Sequence, residues 1–62
     1  MVIGRCRCLE NYVPTNKDEG LLRVERGEEL TILQKDLGSG WTYVNGLYGV
    51  GFVPSSILYL FD

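Results

Sequence analysis

Apolar and polar residues alternate along short stretches of this chain, and the alternation breaks at turns rich in glycine, proline and asparagine. Arg5-Cys6-Arg7-Cys8-Leu9 has period two, as a half-buried strand does, and places Cys6 and Cys8 on one face. Asn11 to Gly20 holds Pro14, Asn16, Asp18 and Gly20, which is loop composition. Leu22-Arg23-Val24 resumes the alternation, and Arg26-Gly27-Glu28-Glu29 reads as a turn with Gly27 free to take positive φ. Glu29 to Leu33 is a strand with Leu30 and Ile32 facing one way. Asp36 to Gly40 is the next loop, and Trp41 to Asn45 is a strand of aromatic and β-branched residues. Two hairpin turns compete beyond it, Asn45-Gly46, a strong two-residue signal, and Leu47-Tyr48, and the pattern leaves the register open between them. Val50 to Val53 is the returning strand. Pro54-Ser55-Ser56 cannot continue a ladder and suits one 3₁₀ turn, after which Ile57 to Leu60 forms a last short strand.

No segment sustains a helical period, so the pattern predicts an all-β fold, a small barrel or sandwich. The inward set is Cys6, Cys8, Leu22, Val24, Leu30, Ile32, Val44, Val53 and Leu58. Trp41 falls outside it, because Val44 completes the inward alternation opposite Val53.

The chain has 62 residues, enough for a single domain spanning residues 1–62, and we expect it to be part of a larger multidomain protein. Net charge is −2 with only six Lys and Arg, which argues against binding a phosphate backbone. No apolar run is long enough to span a bilayer, and Met1 to Gly4 is too short for a signal peptide. There is no histidine, no Gly-x-Ser-x-Gly nucleophile motif and no phosphate loop, so no enzyme is expected. Two cysteines one residue apart form no sound disulfide and too few ligands for a metal. They read as small buried apolar residues, with free thiols that fit a reducing, cytoplasmic setting. No cofactor is expected.

Chemistry concentrates elsewhere. The only tryptophan follows Gly38-Ser39-Gly40, and Gly51-Phe52-Val53-Pro54 ends the returning strand. An indole, a benzyl ring and a proline ring thus share one hairpin, an apolar cluster large for the surface of so small a domain. Four segments resemble, in order and at near-standard spacing, a Src-homology-3 (SH3) domain. Cys8-Leu9-Glu10-Asn11-Tyr12 sits where that family has Ala-Leu-Tyr-Asp-Tyr. Leu22-Arg23-Val24-Glu25-Arg26-Gly27-Glu28 is similar to its Leu-Ser-Phe-x-x-Gly-Glu, and Trp41 to the first of its paired tryptophans. Gly51-Phe52-Val53-Pro54-Ser55-Ser56-Ile57-Leu58 is similar to Gly-Tyr-Ile-Pro-Ser-Asn-Tyr-Val. A narrower likeness joins Cys6-Arg7-Cys8-Leu9, Asp18-Glu19-Gly20 and Gly40-Trp41-Thr42 to the SH3 domains of Toca-type F-BAR adaptors, which link curved membranes to actin nucleation.

The resemblance implies a five-stranded SH3-like barrel with a single 3₁₀ turn before the last strand. It also implies a non-catalytic module that binds proline-rich or basic peptide segments of other proteins, at membrane–cytoskeleton sites reached through the parent protein. Such ligands enter as polyproline II helices. The residues it assigns to peptide binding are Tyr12, Trp41, Phe52, Pro54 and Ile57 in the groove, with Asp18, Glu19 and Asp36 as readers of a ligand cation. Three positions depart from the family. Glu10 replaces a tyrosine and would offer a further carboxylate, Ile57 replaces another tyrosine, and Leu21 stands where many members place an Arg-reading acid. These departures predict an atypical ligand preference. The alternative reading is a degenerate domain whose Leu21, Leu37, Leu47, Tyr48 and Phe61 form a dimer or protein-interaction surface.

Overall fold

The computed structural model describes residues 4–15 and 20–61. Within them, β1 (Gly4–Cys8), β2 (Glu29–Gln34), β3 (Trp41–Gly46), β4 (Gly49–Pro54) and β5 (Leu58–Leu60) form one antiparallel sheet in the order β4-β3-β2-β1-β5. A 3₁₀ turn at Ser55–Ile57 joins β4 to β5. The all-β architecture expected from the alternation is observed, with the five strands and the single 3₁₀ turn before the last that the resemblance implies. No helix among the described residues is long and apolar enough to cross a membrane.

Alternation becomes packing through the register. Cys6 pairs with Leu30, Ile32 with Val44 and Thr42 with Val53, so each pair directs both side chains to the same face. Eight of the nine expected inward residues are buried, from Cys6 to Val53. The ninth, Leu58, is half-buried and packs on that core beside Tyr12 and Ile57. Both cysteines are free and buried. Burial, with Cys8 beside it, pushes the Cys6 thiol up to about 11, and burial also raises Cys8. Near neutral pH both therefore pack as small, protonated, inert groups.

Leu22-Arg23-Val24 alternates as expected, with Leu22 and Val24 buried and Arg23 exposed, but it is not a strand. Its two ends pair with different partners. Tyr12 and Val24 exchange both backbone hydrogen bonds, at 2.9 and 3.0 Å. Gly20 and Leu22 instead bracket Phe52 on β4, through Phe52 N–H to Gly20 O at 2.8 Å and Leu22 N–H to Phe52 O at 3.0 Å. Gly51 allows that approach: a Cβ there would lie 2.8 Å from Gly20 O and 2.9 Å from Leu22 Cβ.

The β3–β4 turn is Leu47-Tyr48, since Gly46 pairs with Gly49. No non-glycine residue has positive φ among those described, and the hairpin places that conformation on Gly49, at +124°. Gly46 has another task. The Glu28 carboxylate is buried beneath it, with the residue only 8% exposed. Its Oε1 accepts from Glu25 N–H at 3.0 Å and its Oε2 from Leu47 N–H at 2.7 Å. A Cβ on Gly46 would meet Glu28 Oε2 at 2.5 Å and Leu30 Cδ2 at 2.6 Å. One buried acid thus joins the turn before β2 to the β3–β4 hairpin.

Two substitutions test this joint. Glu28→Ala strands two backbone donors and should destabilise the domain by about 1–3 kcal/mol. Gly46→Ala should destabilise it through the same contact. A urea titration should show a lower midpoint with an unchanged slope for both.

Candidate functional site

Trp41 opens β3 and is placed by the loop before it. Asp36 organises that loop. Its Oδ1 accepts from Gly38 N–H at 2.6 Å and Gly40 N–H at 3.2 Å. Its Oδ2 accepts from Ser55 Oγ–H at 2.6 Å. That bond uses the single hydroxyl proton of Ser55, so Thr42 Oγ1 is the donor in its 2.7 Å contact with Ser55 Oγ. Ser55 N–H also donates to Gly40 O at 2.9 Å, and Trp41 N–H to Ser39 Oγ at 3.3 Å. Gly38 and Gly40 supply the positive φ values, +111° and +90°, that let the chain fold around one carboxylate. The Ser55 hydroxyl, then the Gly38 and Gly40 amides, hold the Asp36 carboxyl below its ordinary value of 3.8.

The indole stands half-buried. Tyr12 meets it edge to face, with ring centroids 6.4 Å apart and planes at 61°. Pro54 lies directly across the hairpin from it. Tyr12 and Ile57 both pack on the core, and Ile57 O accepts from Leu9 N–H at 2.7 Å, so the 3₁₀ turn is tied to the segment leading to Tyr12. Leu21, Ser39, Trp41 and Phe52 line a pocket of about 340 Å³. Phe52 is braced from behind by Tyr43, its partner across the hairpin, with centroids 4.8 Å apart. Tyr43 was not among the expected site residues. Its position two residues after Trp41, on the same face of the strand, is the signal that would have found it.

The carboxylates are dispersed. Glu10 is exposed, and its carbonyl accepts the Cys8 S–H at 2.7 Å. Asp18 and Glu19 lie outside the described residues. Asp36 does not line the Trp41 pocket. With Lys35, Thr42, Ser55 and Leu58 it lines a separate depression of about 420 Å³. Its oxygens face the amides and hydroxyl they accept from, and in this geometry it positions the loop.

Residues 5–60 match the model of the variant SH3 domain family, and the chain belongs to the SH3 family. It is 35% identical over 57 residues to mouse Cdc42-interacting protein 4, covering 90% of this chain and 9% of that protein. It is 39% identical over 57 residues to Formin-binding protein 1-like of Xenopus laevis, covering 90% of this chain and 10% of that protein. The chain therefore spans about a tenth of the length of these curated relatives. The first of them is a Toca-type F-BAR protein, in keeping with the narrower likeness read from the motifs. Among solved structures, the C-terminal SH3 domain of myosin IB from Entamoeba histolytica, bound to an EhFP10(GEF) peptide, superposes with a TM-score of 0.80. It is 22% identical and covers 100% of this chain and 97% of that one, a likeness of fold.

The lowered Asp36 value has a pH signature. A carboxylate whose folded value lies below its unfolded one adds stability that is complete above the unfolded value and is lost as pH falls through the folded one. Wild type should therefore lose stability below about pH 3.8 in part through Asp36. Asp36→Asn should be less stable near neutral pH and show a shallower loss on acidification, measured by urea midpoints across the acid range.

Proposed function

We propose that this domain is a non-catalytic interaction module that binds proline-rich peptide segments of other proteins through the groove at Trp41. The observation that carries this reading is the half-exposed Tyr12–Trp41 pair, with Trp41 opening β3 opposite Pro54 and Tyr12 held by its backbone bridge to Val24. Half-exposed aromatic rings on a rigid frame suit a ligand that is already extended, because little conformational freedom is then lost on binding. Membership of the SH3 family and the peptide seen on the myosin IB domain support it.

In this reading Tyr12, Pro54 and Ile57 take ligand prolines. The Trp41 indole separates that slot from the pocket lined by Phe52, and its N–H donates to a ligand carbonyl. Glu10, Asp18 and Glu19 give the groove a negative margin for basic residues. Ile57, in place of a ring with a hydroxyl, and Glu10, in place of tyrosine, leave fewer polar and aromatic contacts. The preference is accordingly atypical, and affinity for a generic Pro-x-x-Pro peptide falls in the range of about 1–100 μM. The setting is that of a cytoplasmic adaptor, near membrane–cytoskeleton sites through the parent protein.

Trp41→Lys should abolish binding of a Pro-x-x-Pro peptide, followed by titration of amide chemical shifts, while the rest of the spectrum keeps its folded dispersion. Unchanged affinity would sink the proposal. Were the domain a dimerisation surface instead, mass would rise with concentration in sedimentation and the peptide would have no effect.

Glu10→Tyr restores a ring at the edge of the slot and should tighten binding of the same peptide by about threefold to tenfold, in line with the gain of one aromatic contact. An affinity equal to wild type would remove Glu10 from the groove.

A further inference from the structure

β5 closes one side of the sheet, with only β1 beside it. Phe61 N–H donates to Arg5 O at 3.0 Å, and Leu9 N–H to Ile57 O at 2.7 Å. Bonded and non-bonded pairs alternate in an antiparallel ladder, so Ile57, Tyr59 and Phe61 turn their backbone groups to β1. Leu58 and Leu60 turn theirs to the open edge. The Leu58 N–H is taken by Ser55 O. Among the described residues nothing bonds to the N–H or the carbonyl of Leu60. Edge strands are commonly blunted by a charge, a proline or a bulge. Ile57-Leu58-Tyr59-Leu60-Phe61 has no charge and no proline, and Leu58 to Leu60 pair with β1 without a bulge. Tyr59 and Leu60 are exposed, at 60% and 59%.

This edge matches itself. In an antiparallel pair with a second copy, Leu60 opposite Leu60 lets each N–H donate to the other carbonyl. That register sets Tyr59 opposite Phe61 of the second copy, and Phe61 opposite its Tyr59. Both are non-bonded pairs, in which side chains approach closest. Tyr59 and Phe61 already meet edge to face at 5.9 Å, so the cross-strand contacts join two ring pairs into one cluster. Centring the pair on Leu58 is closed, because its donor is used. Centring it on Tyr59 would set Phe61 opposite Ile57, which belongs to the 3₁₀ turn. The two β1 strands, carrying Arg5 and Arg7, would lie three strand spacings apart, about 14 Å. That exceeds the screening length of about 8 Å at physiological salt, so their charges oppose the pairing little.

We infer that the β5 edge is a self-association surface, pairing Leu60 with Leu60 of a second copy and setting Tyr59 against Phe61 across a two-fold axis. Three residues from each copy fall short of the roughly 1,200 Å² of a stable interface, so the dimer is weak, with a Kd of about 0.1–1 mM. It forms where copies are held side by side, since effective concentrations then reach about the millimolar range. None of the residues assigned to the Trp41 groove takes part.

Sedimentation equilibrium from about 20 μM to about 1 mM should show a monomer–dimer equilibrium. Over the same range the Leu60 amide should exchange with water about twofold to threefold more slowly, while amides of the β3–β4 hairpin keep their rates. Leu60→Pro removes a donor that points away from β1, so the β1–β5 ladder keeps its bonds. It should weaken association about tenfold or more, since each copy loses a hydrogen bond. Tyr59→Glu removes the ring contacts and faces Arg7 across the ladder, a favourable pair for the fold. It should weaken association about tenfold while leaving affinity for a Pro-x-x-Pro peptide unchanged. A monomer at every concentration, a Leu60 amide whose exchange ignores concentration, or a dimer that Tyr59→Glu leaves intact overturns the inference. Failure of the peptide to bind a domain that still pairs in this way overturns the groove reading alone.

Discussion

The close backbone contact between Gly20–Leu22 and Gly51–Phe52 is the constraint on which the site depends. Two hydrogen bonds to one residue, Phe52, bring the end of the long loop onto β4. The contact is available only because Gly51 has no side chain: any Cβ there would collide with backbone and with Leu22 Cβ, groups that cannot swing aside. Three consequences follow from that approach. Leu22 reaches the core, Leu21 becomes a wall of the Trp41 pocket, and the outer face of β4 leaves Phe52 between Leu21 and Tyr43. A pocket beside Trp41 is therefore walled in at the edge strand β4.

Two carboxylates, Glu28 and Asp36, are engaged by the fold itself. Glu28 is buried and joins the turn before β2 to the hairpin tip through two backbone amides. Asp36 is held in the loop before Trp41 by two amides and one hydroxyl. Each supplies acceptors to backbone donors that tight turns leave without partners, and each needs a neighbouring glycine to be reached. Acids of this kind are occupied by the fold. Glu10, exposed and without such partners among the described residues, is the sort of carboxylate that remains open to a ligand.

Core and sheet were legible because period-two alternation depends only on neighbouring residues. Cys6, Cys8, Leu30, Ile32, Val44 and Val53 all point inward as their spacing requires. What local pattern could not express was purpose at a distance. Gly46 reads as half of a competing Asn-Gly turn, yet its lack of a side chain serves Glu28, eighteen positions earlier, and of the two turns the chain takes Leu47-Tyr48. Asp36 reads as a loop acid free for a cation, yet Ser55, nineteen residues on, takes one of its oxygens. Thr42 and Glu28 are buried polar residues for the same reason, since Thr42 bonds to Ser55 and Glu28 to Leu47 on other parts of the fold. At the site, Trp41, Tyr12 and Pro54 were legible from type and motif, and the structure brings them together. Tyr43, bracing Phe52, was hidden behind a strand propensity that any aromatic residue satisfies.

The positions that depart from the family hold the fold partly through their main chain. Leu21 contributes its backbone to the bridge with Phe52, so the chemistry of its side chain is free to vary without disturbing the sheet. Glu10 is exposed, and its carbonyl, not its carboxylate, accepts the Cys8 thiol. Ile57 donates nothing from its side chain, while its carbonyl ties the 3₁₀ turn to Leu9. In each case the main chain makes a contact that holds the architecture. Substitution of the exposed Glu10 leaves the core contacts and the backbone ladder in place, whereas Ile57 also packs on the core. By contrast Gly51, Gly46 and Glu28 meet backbone or core atoms directly, and the frame that presents the groove gives them no comparable freedom.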